Sequence, residues 1–375
     1  MKRELERIEI PYEHDARVRT WNVVETAFAE RTPAVRSKFH VRTAVVFAVA
    51  LALVASAFSH PGKAVLDQIR DVVGVKQAAP ALFSLPTSGK LLVHSDGGVW
   101  VVQSDGSRRF LGRYREASWS PFGRFVVATR TNELAALEPD GDVHWTLARP
   151  DPRSAVWTGS ETDTRIAYVD RSGVRVVAGD GKGDRLLAAG ARGPLAWRPG
   201  TSHVLAYVAG KRIRVQDVDT RRVLWQEGIA EAGSPVRALK WSSDGTRLSV
   251  LQPFALRVYG EAGQVLDRDD PSDATRDADA TFRPDTHAVS VIRLHGAQST
   301  VFGLSAGAPQ FSGTGVFAQL EWSPDGRWLL VTWPTADQWV FVRTDGGKRR
   351  IRAVANVSSQ FQSATFPRVE GWAPE

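Results

Sequence analysis

From residue 90 onward, apolar residues come in short runs separated by glycine, aspartate and proline. Leu91-Leu-Val93, Val99-Trp-Val-Val102, Phe125-Val-Val-Ala128, Leu134-Ala-Ala-Leu137 and Trp328-Leu-Leu-Val-Thr332 show the pattern. Runs of this length, rich in β-branched and aromatic residues and bounded by turn formers, predict β-strands. The chain ahead of them reads differently. Between Asp15 and Arg31, the residues Val18, Trp21, Val24 and Phe28 recur at helical spacing, with Asp15 as a cap and Thr32-Pro33 as a stop. Lys63 to Val73 gives a second short helical pattern closed by Gly74, and Ala78-Ala79-Pro80 breaks it.

Between these two patterns, residues 43–59 carry no charge at all. As a helix they would extend about 26 Å, near the short limit for crossing the hydrocarbon core. Arg36, Lys38 and Arg42 stand just before the run, and Lys63 alone follows closely. This asymmetry predicts a cytoplasmic N-terminus and an extracytoplasmic C-terminal bulk, a single-pass plasma-membrane topology. Two other readings compete. Ala55-Ser56-Ala57 has the small residues of a signal-peptide cleavage site, and a buried core helix could have this length. The polar stretch ahead of the run is far longer than the usual leader of a signal peptide, which favours an uncleaved anchor.

The strand-rich part repeats itself. Trp119-Ser-Pro-Phe-Gly123, Trp197-Arg-Pro-Gly-Thr201, Trp241-Ser-Ser-Asp-Gly245, Phe282-Arg-Pro-Asp-Thr286 and Trp322-Ser-Pro-Asp-Gly326 are copies of one unit. A degenerate copy starts at Trp157, and Phe366-Pro367 begins another that the end of the chain cuts short. The anchors Trp119, Trp157, Trp197, Trp241, Phe282, Trp322 and Phe366 lie 38, 40, 44, 41, 40 and 44 residues apart. That period matches a four-stranded propeller blade. A small sheet with two apolar faces cannot bury both alone, whereas stacking in a ring buries them. The anchors are therefore expected to wedge between blades.

Residues 90–112 carry three strand signals without a preceding anchor, and the last anchor has no strands after it. Joining them completes one blade from both ends of the chain and protects the ring edges. The expectation is an all-β propeller of seven blades, or six if the Trp157 unit is not a full blade. The domain plan is a tail over 1–42, a membrane helix over 43–59, a neck over 60–83 and the propeller over 84–375.

At these residues the chain resembles the TolB-like, WD40-like β-propeller repeat family, whose hallmark is an aromatic-Ser-Pro-Asp-Gly unit. Trp322 to Gly326 matches throughout, while Ser243 and Phe122 depart from it and Trp157-Thr-Gly-Ser does not follow it. The resemblance covers about residues 84–370. It implies a protein-binding scaffold and carries no catalytic residue over. The tail–helix–propeller layout is also similar to actinobacterial membrane proteins associated with extracytoplasmic-function sigma factors.

Composition narrows the chemistry. The chain of 375 residues has no cysteine, which excludes disulfides, thiolate metal sites and a cysteine nucleophile. It carries 48 Lys and Arg against 41 Asp and Glu, a net +7, but both signs are scattered and no basic–aromatic run tracks a phosphate backbone. Nucleic acid is not an expected partner. Gly303-Leu-Ser-Ala-Gly307 satisfies the G-x-S-x-G pattern of a hydrolase nucleophile, yet its flanks read as a blade hairpin. Six aspartates between Asp267 and Asp279 could attract calcium but lack the EF-hand offsets. The eight histidines show no metal-binding spacing, and Gly179-Asp-Gly-Lys-Gly183 lacks the spacing of a phosphate loop. No cofactor and no metal are expected.

Three functions remain. The first is a non-enzymatic extracytoplasmic binding or scaffold module. The second is a transmembrane regulator whose Val18/Trp21/Val24/Phe28 stripe holds a cytoplasmic protein such as a sigma factor. The third is an enzyme built on acidic or histidine residues at the ring mouth.

Overall fold

The computed structural model describes residues 83–160, 162–200, 203–230, 233–272, 274–307, 309–343 and 350–375. The tail helix with Val18, Trp21, Val24 and Phe28, the apolar run 43–59 and residues 60–82 of the neck lie outside the described residues. Among the described residues, no helix is long and apolar enough to cross a membrane.

Seven four-stranded antiparallel sheets make up the described chain. The first strands of blades 1 to 6 are Glu116–Trp119, Arg153–Gly159, Arg192–Trp197, Ala238–Trp241, Thr275–Phe282 and Leu320–Trp322. Each blade then runs outward through its next three strands in order. The seventh blade pairs Arg368–Ala373 with Lys90–Ser95, followed by Gly98–Val102 and Arg108–Gly112, so the two ends of the propeller close it. The degenerate Trp157 unit forms a full blade, and the count is seven. The first strands touch their counterparts in neighbouring blades all the way round, which makes them the inner wall of the ring.

The period was legible because the core lies between blades. One buried cluster joins Leu92, Val99 and Val101 of the closing blade to Ala117, Val126 and Leu137 of blade 1. Another joins Val127 and Leu134 of blade 1 to Trp157, Ile166 and Tyr168 of blade 2. Neither face of a blade reaches water over its inner strands, so the strands read as continuous apolar runs. Farther out, Trp145 of blade 1 stacks over the turn glycine Gly181 of blade 2 and donates its Nε1–H to Gly179 O at 2.8 Å. Gly181 has φ +81°, and a Cβ there would meet the indole at 3.0 Å, so glycine is needed for both reasons. Trp225 stacks on Gly263 in the same way, but its Nε1–H makes no hydrogen bond among the described residues.

The ring has two distinct faces. The Ser-Pro-Asp-Gly turns and the third-to-fourth-strand turns open on one, the turn face. The second-to-third-strand hairpins and the links between blades open on the other, the connection face. Phe83 and Glu375 both lie on the turn face: Leu85 N–H donates to Ser104 O at 2.9 Å, and Ser104 Oγ donates to Glu375 Oε1 at 2.8 Å.

Blade 1 departs from the repeat at Phe122, which is 51% exposed and held at φ 66°. In blades 4 and 6 the corresponding Asp244 and Asp325 accept Ser242 Oγ and Ser323 Oγ, each at 2.5 Å, and the N–H groups of Thr246 and Arg327, each at 3.1 Å. A bulky side chain in the left-handed region is strained, whereas aspartate tolerates it, as Asp285 at the same place in blade 5 does at φ 57°. Phe122→Asp is therefore expected to stabilise the protein by about 1 kcal/mol, read as a rise in urea midpoint. A loss of stability would show that contacts of the ring outweigh the strain.

Candidate functional site

Six of the sequence-derived anchors lie at or within two residues of the ends of the inner strands, each opposite a residue near the start of the second strand: Trp119 with Val126, Trp157 with Ile166, Trp197 with Leu205, Trp241 with Leu248, Phe282 with Val289 and Trp322 with Leu329. Their indoles reach the preceding blade. Trp119 Nε1 donates to Gly371 O at 3.3 Å, Trp197 Nε1 to Val156 O at 3.0 Å and Trp241 Nε1 to Ala196 O at 3.2 Å. Each acceptor belongs to the residue immediately before the preceding blade's own anchor. Where the motif carries Arg in place of Ser, the guanidinium covers the next anchor: Arg198 over Trp241 at 5.8 Å and Arg283 over Trp322 at 5.3 Å.

In the closing blade the position belongs to Trp372, opposite Leu91, and not to Phe366. Phe366 lies two residues before the inner strand, half-buried against the cluster of Trp328, Trp339 and Phe361. Trp372-Ala-Pro-Glu375 is a disguised copy of Trp-Ser-Pro-Asp. The near-constant period drew attention to Phe366 because the link before the last strand is longer, holding the short helix Val357–Gln360 and the fully buried Phe361.

The axis carries charges that the repeat did not reveal. Residues one and three before each anchor lie on the side of the inner strand facing the following blade. Several are acidic or amide. Glu116 accepts the N–H of Ser154, and Asp279 Oδ2 that of Leu320 at 2.8 Å. Gln319 Oε1 accepts Val369 N–H at 3.0 Å while its Nε2 donates to Val369 O at 3.0 Å. Glu321 accepts the backbone N–H of Trp372. In every case the side chain of one blade satisfies an unpaired inner-edge group of the next, groups that are costly to leave unbonded away from water. Asp279 also binds Lys240 Nζ at 3.2 Å.

This cluster shifts titration. Burial pushes the Glu321 carboxyl up to about 7, with Lys240 opposing and Asp279 adding to the rise. Burial likewise raises Glu370. Burial would lower Lys240, but Asp279 and Glu321 outweigh it and hold the ammonium above its ordinary value. In blade 5, burial raises Asp277 to about 6 despite its bond from Arg293 Nε at 3.0 Å. A carboxyl whose folded value exceeds its unfolded one binds more protons when folded, so its contribution to stability falls as pH rises through that window. The urea midpoint is thus expected to fall from about pH 4.5 to pH 7. Glu321→Gln should make this fall shallower, most of all near pH 7, where Asp277 has largely titrated. An unchanged slope there would remove Glu321 as its source.

The other sequence candidates resolve as follows. Ser305 sits in the exposed turn between the third and fourth strands of blade 5, and its Oγ bonds Asp267 Oδ2 at 3.2 Å, with no histidine partner among the described residues. The aspartate-rich stretch is mostly strand, not a free connection: Asp267 and Asp269 end blade 4 and Asp277 and Asp279 begin blade 5. Protein cations hold most of these acids: Asp269 and Asp277 pair with Arg293, Asp270 with Arg257 and Asp279 with Lys240. No group of three or more His, Asp or Glu among the described residues is placed to hold a metal. His287 bonds Asp244 at 2.7 Å, and His295 is exposed in a hairpin. Gly179 to Gly183 is the outer turn of blade 2. An open recess of about 570 Å³ between the closing blade and blade 1 is lined by Arg108, Arg109, Glu138 and Asp140, and Arg109 Nε crosses it to Asp140 O.

No protein-family model matches the chain, and no curated protein sequence does. Among solved structures, a chain of the mitotic checkpoint complex is similar in fold, with a TM-score of 0.51 and 16% identity over 75% of this chain and 87% of that one. A chain of Kuenenia stuttgartiensis hydrazine synthase aligns with a TM-score of 0.48 and 15% identity over 61% of this chain and 76% of that one. At this identity the first likeness concerns the fold alone. Together with the seven closed sheets it defines the class: an all-β, seven-bladed propeller with a WD40-like fold.

Proposed function

We propose that this protein is a non-enzymatic, membrane-anchored binding module of the TolB-like repeat type, displaying its propeller outside the cell. The observation that carries the binding reading is the employment of the axial carboxylates. Glu116, Asp279 and Glu321 each cap a backbone N–H of the next blade, which commits them to holding the ring together. The reading of an anchor rests on the uncharged run 43–59 and its basic N-terminal flank.

The absence of cysteine makes the topology directly testable. Ser172→Cys in the propeller should react with a membrane-impermeant maleimide in intact cells, and Thr20→Cys in the tail only after lysis. Equal labelling of both before lysis would overturn the anchored reading. For binding, a photoreactive residue at Ser172 on the connection face should cross-link a discrete protein in cells.

A second reading makes the chain a transmembrane regulator. Its motive is the Val18/Trp21/Val24/Phe28 stripe, which a short isolated helix cannot bury by itself. In this version the tail holds a cytoplasmic partner such as a sigma factor. Capture of that factor by the full chain, lost in Trp21→Ala/Phe28→Ala, would support it. Equal capture by both would dismiss the stripe.

A further inference from the structure

All inner strands start on the connection face, so their opening residues ring the axial mouth there. In five consecutive blades, beginning with the closing one, that place is taken by arginine: Arg368, Arg115, Arg153, Arg192 and Arg237. The backbone fixes the correspondence. Arg115 N–H donates to Thr129 O and Arg237 N–H to Leu251 O, both at 2.8 Å, while Arg153 is opposite Val169 and Arg192 opposite Val208. All five residues are exposed, and Arg368, opposite His94, pairs with Glu370 of its own strand. The arc is one-sided: in blade 6 the same rung carries Ala318, whose N–H donates to Thr332 O at 3.0 Å.

The step from Arg115 to Arg153 shows what the arc recognises. Asp151, in the link between blades 1 and 2, lies 2.8 Å from Arg115 Nη1 and 3.1 Å from Arg153 Nη2. One carboxylate thus bridges the arginines of neighbouring blades, with charge-assisted bonds to a planar donor. Arg192 and Arg237 have the same placement but no carboxylate partner among the described residues. Arg171 and Lys211, exposed in the hairpins of blades 2 and 3 on the same face, have none either. Adjacent uncompensated cations raise the local potential and draw in an anionic partner.

We infer that the arc from Arg153 through Arg192 to Arg237, backed by Arg171 and Lys211, docks an acidic segment of a partner protein. The Asp or Glu side chains of that segment bridge successive arginines as Asp151 does. The inference rests on the binding-module reading and names its site and its partner chemistry.

The test uses the full chain in detergent micelles and a short fluorescein-labelled peptide of alternating Glu and Ser, read by anisotropy. Inorganic polyphosphate and single-stranded DNA serve as competitors. The peptide should bind, and Arg192→Ala/Arg237→Ala should weaken it about tenfold, whereas Arg350→Ala at the start of an outer strand should leave it unchanged. Absence of peptide binding, or equal binding by the double variant, overturns the inference. Displacement by polyphosphate or DNA at far lower concentration than by unlabelled peptide also overturns it, making the arc a phosphate surface. Cross-linking at Ser172 separates the two levels. A protein captured there without peptide binding removes the acidic partner but leaves the binding module standing. Failure to capture any protein from either face of the ring removes the binding module itself.

Discussion

Deleting residues 368–375 is expected to abolish cooperative unfolding of the propeller. The deletion removes the inner strand of the closing blade and leaves Lys90–Ser95 as an unpaired edge at the axis. It also removes Trp372, which packs edge-on against Phe341 with ring centroids 5.7 Å apart, and the Val369 backbone groups that Gln319 clasps. A buried tryptophan alone is worth about 3–5 kcal/mol, and the strand as a whole approaches the ~5–15 kcal/mol that holds a domain folded. Tryptophan fluorescence in urea should lose its sigmoidal transition, and size-exclusion chromatography should show association through the open edge. Adding a synthetic peptide of residues 363–375 should restore part of the transition. A truncated chain that melts as sharply as the intact one would mean that the ring closes without this strand.

The second large effect lies between blades 1 and 2. Asp184, with only 4% of its side chain exposed, accepts bonds from Arg149 Nη2 and Arg175 Nη2, each at 2.5 Å, and from Tyr168 Oη at 2.6 Å. Burial works to raise this carboxyl, but the bonds from Arg175, Tyr168 and Arg149 outweigh it and hold it below the ordinary value. Its contribution to stability is therefore present at neutral pH and fades as pH falls through the depressed folded value. Asp184→Ala strands two guanidinium groups beside a buried phenol. Removing one member of such a network costs about 3–5 kcal/mol, visible as a lowered urea midpoint. Arg149→Ala should cost less, because Arg175 remains on the carboxylate. A loss below about 1 kcal/mol for Asp184→Ala would place the network among solvated surface pairs.

Much of this architecture could be read from the residues. Blade number, strand order and ring closure were legible because the repeat records a local need: an aromatic to fill the inter-blade gap and a turn to start the next strand. The displaced anchor shows the limit. Trp372-Ala-Pro-Glu375 keeps the shape of the motif and loses its letters, and a longer link moved it off the period that made Phe366 attractive. The axial acids were illegible for a different reason. Glu116, Asp279 and Glu321 answer to unpaired groups on a neighbouring blade about 40 residues away, and no local pattern reports that. The arginines at the mouth were visible as residues but scattered in the chain. Only the register of the inner strands places Arg153, Arg192 and Arg237 in one arc.

The one-way clasp at the axis has a consequence for how such a ring can change over time. The outer strands and turns are nearly generic, so a duplicated blade would fold wherever it was inserted. The inner strand is not generic, since it carries an address. Blade 1 offers Glu116 to Ser154, blade 5 offers Asp279 to Leu320, and blade 6 offers Gln319 to Val369. Exchanging two blades would preserve every motif and misdeliver these side chains. The order of the blades is thus written in a few residues around the axis, and recombination that shuffles whole repeats would be penalised there first.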